Sequence, residues 1–133
     1  MIARRSLLLI SLASILLTMG CGSSSLKRGD RLGVLEEIRV NGESVWEDGT
    51  TEAFTTQVPK GTVFEVMYPQ REGLDIVEVR PVRVPGVQGE DAIVRYFLPP
   101  HLHPRLDYGF KSFSVTVNAN DIGTKIKRLD EEQ

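Results

Sequence analysis

Lys111-Ser112-Phe113-Ser114-Val115-Thr116-Val117 alternates apolar and polar residues without a break. Successive side chains of an extended strand point to opposite faces, so this stretch predicts Phe113, Val115 and Val117 inward and Ser112, Ser114 and Thr116 outward. In a helix, residues two apart fall on nearly opposite sides, which would scatter the three apolar groups. The pattern therefore selects a sheet with one dry face and one wet face, the usual condition of antiparallel sheets.

Other short runs read the same way. Phe64, Val66 and Tyr68 share a face within Thr62 to Tyr68, which follows the turn Pro59-Lys60-Gly61 and ends at Pro69. Val34 to Val40 is rich in branched apolar residues, and Asn41-Gly42 is the strongest short hairpin signal, predicting a return through Glu43 to Trp46. Asp48-Gly49-Thr50-Thr51 breaks the chain before Ala53 to Val58. In Leu74 to Arg80, Val77 and Val79 stand against Glu78 and Arg80. Pro81 to Pro85 predicts a short extended piece at a sheet edge, because proline cannot donate to a ladder. Arginines there discourage association between edges. After the loop from Gly86 to Asp91, the mostly apolar run Ala92 to Leu98 predicts a central strand. No stretch of the mature chain sustains a long helical period. About seven short strands in roughly 100 residues predict an all-β fold, a small antiparallel β-sandwich or a small barrel.

Asn118 to Leu129, with Asp121-Ile122-Gly123 inside it, is similar to the corner between strands in immunoglobulin-like bacterial domains. The resemblance implies that Asp-x-Gly turns the chain into a closing strand. Lys125 stands where that family has tyrosine.

The beginning of the chain carries a different message. Arg4 and Arg5 precede an apolar run from Leu7 to Met19, small Gly20 follows, and then comes Cys21, the one cysteine in 133 residues. This is the layout of a secretory signal, and the run falls short of the roughly 20 apolar residues that a spanning helix needs. Leu16-Leu17-Thr18-Met19-Gly20-Cys21 resembles the lipobox of bacterial lipoproteins. The resemblance implies that the Cys21 sulfur receives a diacylglycerol, that the signal is cut before it, and that the new amino group takes a fatty acid such as palmitate. In that family aspartate after the cysteine retains the protein in the inner membrane, so Gly22 implies the outer membrane, facing the periplasm. Residues 1–20 are then the signal and residues 21–33 the lipidated cysteine with a Gly/Ser-rich tether. Such coils hold a domain roughly 20 Å from the bilayer. Residues 34–129 are the β-domain and residues 130–133 a tail.

Composition narrows the partners. Sixteen basic and 18 acidic residues give a net charge of −2, and loss of Arg4 and Arg5 with the signal makes the mature chain more acidic. Binding to nucleic acid needs a concentrated basic face, so nucleic acid is excluded as a partner and the membrane is reached through the lipid. A lone cysteine leaves no internal disulfide, and stability rests on the core.

Both histidines lie in Pro99-Pro100-His101-Leu102-His103-Pro104-Arg105-Leu106-Asp107. In an extended segment His101 and His103 point the same way and offer two imidazoles to a metal, with Asp107 as a third ligand. The competing reading is a structural loop, which three prolines favour. Trp46 and Tyr68 offer an aromatic platform for sugar or peptide, or else packing in the core. Glu43, Glu47, Asp48 and Glu52 lack calcium-loop spacing and read as a solvated face. No Gly-x-Ser-x-Gly elbow and no phosphate loop is present, and lipidation would remove Cys21 as a nucleophile. The expectation is a non-enzyme without a cofactor other than its covalent lipid. It would be an interaction or assembly module for an envelope protein, resembling in architecture the small pilot lipoproteins of secretion systems. The second reading is a periplasmic metal or small-ligand carrier using His101 and His103.

Overall fold

The computed structural model describes residues 26–69 and 75–129. The signal, Cys21, the first tether residues, Leu74 and the tail lie outside the described residues. Among the described residues the fold is all-β apart from short helical pieces. Its strands are β1 (Arg31–Val34), β2 (Ile38–Trp46), β3 (Thr51–Val58), β4 (Val63–Tyr68), β5 (Ile76–Arg83), β6 (Phe110–Asn118) and β7 (Ile126–Leu129). One helix, α1 (Glu90–Phe97), and a 3-10 turn (Pro100–Arg105) connect β5 to β6.

All seven strands form one antiparallel sheet in the order β3-β2-β6-β5-β4-β1-β7. Period two sorts the side chains. Val40 on β2, Phe54 and Val58 on β3, Phe64 and Val66 on β4, Val77 and Val79 on β5, Val115 and Val117 on β6 and Ile126 on β7 are buried in one core. The alternation from Lys111 to Val117 stands as read: Val115 and Val117 are buried, Phe113 is half-buried and packs on the core, and Ser112 is exposed. The face of β4 holds through Val66 but not to Tyr68, which is 46% exposed.

The sheet curls around the end of α1. Phe97 accepts a hydrogen bond at its carbonyl from Thr56 Oγ1 on β3 (2.6 Å), while its ring lies 6.3 Å from Phe64 on β4 and 5.7 Å from Phe113 on β6. In a flat sheet β3 and β4 would stand roughly 19 Å apart, at about 4.8 Å per strand. Side chains stand perpendicular to a sheet, so their convergence on one phenyl ring requires the coiling that strand twist supplies.

Three expectations are corrected. Asn41-Gly42 is no hairpin turn but the middle of β2, where the ring of Phe54 occupies the space a Gly42 side chain would need. The turn comes at Asp48-Gly49, with Gly49 at φ 91, and Asp48 Oδ1 accepts from the Thr50 amide and hydroxyl (2.9 and 2.6 Å). The run from Ala92 to Leu98 is helical, not a central strand. Glu90 and Asp91 suit the positive N-terminus of α1 and Arg95 its last turn, Ile93 and Phe97 bury one face at i, i+4, and Pro99-Pro100 stops the helix. The folded unit also begins before Val34, inside the stretch read as tether: Leu26 packs on the core, the Gly29 amide donates to the Val66 carbonyl (2.8 Å), and Leu32 on β1 is fully buried. The corner at Asp121 to Gly123 is present: Thr124 and Lys125 donate to the Asp121 carbonyl, Gly123 has φ 104, and the short β7 follows.

Candidate functional site

The sheet opens between β5 and β6. Pairing runs from Ile76↔Asn118 to Val79↔Val115 and stops, although β5 continues to Arg83 and β6 begins at Phe110. The Ala119 amide donates to the Asp75 carbonyl (2.7 Å), which fixes the phase of the ladder. In an antiparallel pair, hydrogen-bonded positions recur at every second residue, so Asp75, Val77 and Val79 turn their backbone groups toward β6. The next in line is Pro81, opposite Phe113. Proline has no amide proton, and the ladder ends there. Beyond this point β5 pairs only with β4, through Pro81↔Phe64 and Arg83↔Val63. The facing part of β6 pairs only with β2, through Phe113↔Ser44 and Ser112↔Val45. Register shifts on both flanks, at Val63/Phe64 and at Val45/Trp46, bend the two halves apart.

The result is a cleft of about 980 Å³ between two strand edges, at the upper end of the range of roughly 300–1,000 Å³ usual for binding sites. Half-buried Pro81, Val82, Val87, Val94, Phe110 and Phe113 give it apolar walls. Val84, Val87 and α1 close one end, with Val84 and Val87 bridged to each other. Tyr68, Glu78, Arg80, Arg83, Glu90 and Lys111 are its titratable groups. Arg80 is held by Glu65 through two hydrogen bonds (2.9 and 2.7 Å). The expectation of a sheet edge at Pro81 to Pro85 is thus met locally, within a strand that has neighbours on both sides elsewhere.

The histidines do not lie here. Pro100 to Arg105 forms a 3-10 turn, so His101 and His103 lack the extended geometry on which a shared direction rests. His103 Nε2 lies 3.0 Å from the Arg95 carbonyl and 2.9 Å from that of Leu98. With its proton on Nε2 the ring donates to both carbonyls and caps the C-terminus of α1. His101 is exposed, and Asp107 lies 4.0 Å from Arg95. Among the described residues no group of three or more His, Cys, Asp or Glu side chains is placed to hold a metal ion.

Trp46 is a core residue. It is 2% exposed, its Nε1 donates to Ser44 Oγ (3.0 Å), and Ser44 Oγ donates to the Glu52 carbonyl (3.3 Å). Its ring meets Phe110 edge-on at 5.5 Å and carries the Arg105 guanidinium at 4.1 Å. Tyr68 instead stands on the rim of the cleft with Arg28 over its ring at 5.8 Å, so the two aromatics form no common platform. In the acidic group, Glu43, Glu47 and Asp48 are exposed and Glu52 pairs with Arg105 (3.8 Å). The Thr50 hydroxyl and then its amide hold the Asp48 carboxyl below its ordinary value.

Sequence reasoning named Pro81 as a residue that cannot pair and Phe113 as an inward residue, without bringing the two together. The missing signal was that β5 and β6 are neighbours, which depends on the connection through α1. Compared with protein-family models, curated proteins and solved structures, the chain matches none.

Proposed function

We propose that this protein is a lipid-anchored module of the bacterial cell envelope that docks an envelope protein in the cleft between β5 and β6, without catalysis. The observation that carries the docking reading is the interrupted ladder: two strand edges face each other across apolar walls, and Pro81 keeps them from joining. The anchor reading rests on the signal and on Cys21, which would carry diacylglycerol and fatty acid and hold the domain at the outer membrane, facing the periplasm. Two or more acyl chains anchor far more firmly than one. The acidic balance of the mature chain speaks for a protein partner and against nucleic acid.

The test is a photo-crosslinking residue at Lys111, on the cleft wall, in the full chain expressed in its native envelope. A discrete adduct that disappears when the crosslinker is moved to exposed Lys60, outside the cleft, supports docking; identical adducts from both positions, or none from Lys111, would overturn it. In the same cells Cys21→Ser is expected to lose labelled palmitate and to leave the membrane fraction. Unchanged labelling and fractionation would remove the anchor from the reading.

A further inference from the structure

We infer that the occupant of the cleft is an extended segment of the partner, inserted as a strand between β5 and β6 and antiparallel to β6. The inference rests on the docking reading above and specifies its chemistry. An apolar ligand would answer the walls alone, whereas this cleft also presents backbone. The alternation that turns Val115 and Val117 toward β5 turns Phe113 toward the gap as well, and no strand pairs with it on that side. Across the gap stands the Pro81 carbonyl, while Arg83, beyond the register shift, is paired with Val63 on β4. An extended peptide supplies donors and acceptors to both sides, and strand addition draws its affinity from such main-chain bonds.

The two edges are not equivalent, and this sets the direction. Because β5 and β6 are antiparallel to each other, an inserted strand is antiparallel to one and parallel to the other. The β5 edge lacks one donor at Pro81, whereas every residue of β6 from Phe110 to Phe113 carries an amide proton. Antiparallel pairing is the slightly more stable kind per residue, so the inserted strand takes it against β6. Alternate side chains of the segment then face Val94, Phe110 and Phe113 and are apolar, while the others face outward and are polar.

The probe is a labelled peptide of about seven residues, Thr and Val in alternation with blocked ends, the usual length of a strand. It is added to the full lipidated chain in detergent micelles. Binding is read by fluorescence anisotropy and the Phe113 amide by hydrogen exchange. The expected result is saturable binding below about 1 mM with slower exchange at Phe113. N-methylation of every second peptide amide, which removes donors and leaves the protein untouched, is expected to weaken binding at least about tenfold. Pro81→Val restores the missing donor, lets the β5–β6 ladder close toward Phe113, and is expected to weaken binding by a similar factor. Absence of binding, equal affinity of the N-methylated peptide, or unchanged exchange at Phe113 would each overturn strand insertion. A specific adduct from Lys111 alongside such a failure leaves docking in place with another kind of occupant.

Discussion

Gly42 and Phe54 are register partners on β2 and β3, and the Phe54 ring fills the space above the glycine. A methyl group at position 42 would also come within 2.8 Å of the Ser114 carbonyl on β6. Backbone on one side and a packed ring on the other leave it no room, so Gly42→Ala is expected to cost about 3 kcal/mol, the upper end of ordinary overpacking penalties. Thermal denaturation against the parent checks this, and a shift of only a degree or two would mean that the ring moves aside freely.

Phe113 touches three rings, Phe54 at 6.2 Å, Phe97 at 5.7 Å and Phe110 at 6.5 Å, and is only half-buried because it also walls the cleft. Full burial would make truncation cost about 3–5 kcal/mol; with one side open, Phe113→Ala is expected to cost about 2 kcal/mol. Ser114→Ala, directed to the opposite face, is expected to be nearly silent in chemical denaturation.

The His103 cap gives a third expectation. His103→Ala leaves the Arg95 and Leu98 carbonyls without their donor, which is expected to cost about 1–2 kcal/mol and to speed hydrogen exchange at the Leu98 amide, which donates to Val94. Zinc titration of the parent chain is expected to show no stoichiometric binding through His101 and His103. One-to-one binding that is lost in the His101→Ala, His103→Ala double variant would contradict it.

Tyr96 gives a prediction in pH. Burial, and then the negative charge of Glu37, raise its phenol above the ordinary value, and its hydroxyl donates to the Gln57 carbonyl on β3 (2.9 Å). A raised folded pKa means that the native state holds this proton more tightly than the unfolded chain. The associated stability is therefore complete below the ordinary tyrosine value of about 10 and is lost as pH rises through the folded value. Tyr96→Phe is expected to lower stability at neutral pH by about 1 kcal/mol and to flatten the decline above about pH 10. Urea denaturation at neutral and alkaline pH measures both.

What was legible in the sequence follows from which interactions are local. β6 could be read because each of its residues meets either core or solvent, and alternation is the whole signal. Gly42 was misread because Asn-Gly is a turn when nothing opposes it, and what opposes it here is a ring on the next strand. The run from Ala92 to Leu98 fits a short buried strand as well as a helix; its state is decided by contacts of Phe97 with Phe64 and Phe113, residues distant in the chain. β1 was invisible because Leu32 is flanked by Arg31 and Gly33, and Gly33 is covered by the Leu129 side chain, which a Cβ at position 33 would meet at 3.2 Å. The cleft had half of its signal in Pro81, and the other half lay in topology.

β1 lies between β4 and β7, so the first strand is bonded along both sides and the last strand reaches the sheet only through it. A tension applied from the N-terminal side therefore runs along β1, across the direction of two sets of hydrogen bonds. Those bonds are loaded in shear and must fail together, rather than being peeled open one at a time. Asp30 adds to this clamp from both flanks, its carbonyl accepting from the Val66 amide (2.8 Å) and its carboxylate meeting Arg128 (3.2 Å). A domain leashed by its N-terminus and tugged by whatever it holds would thus carry the force through a strand stapled on both sides, and β5 and β6 on the far side of β4 would keep their shape under load.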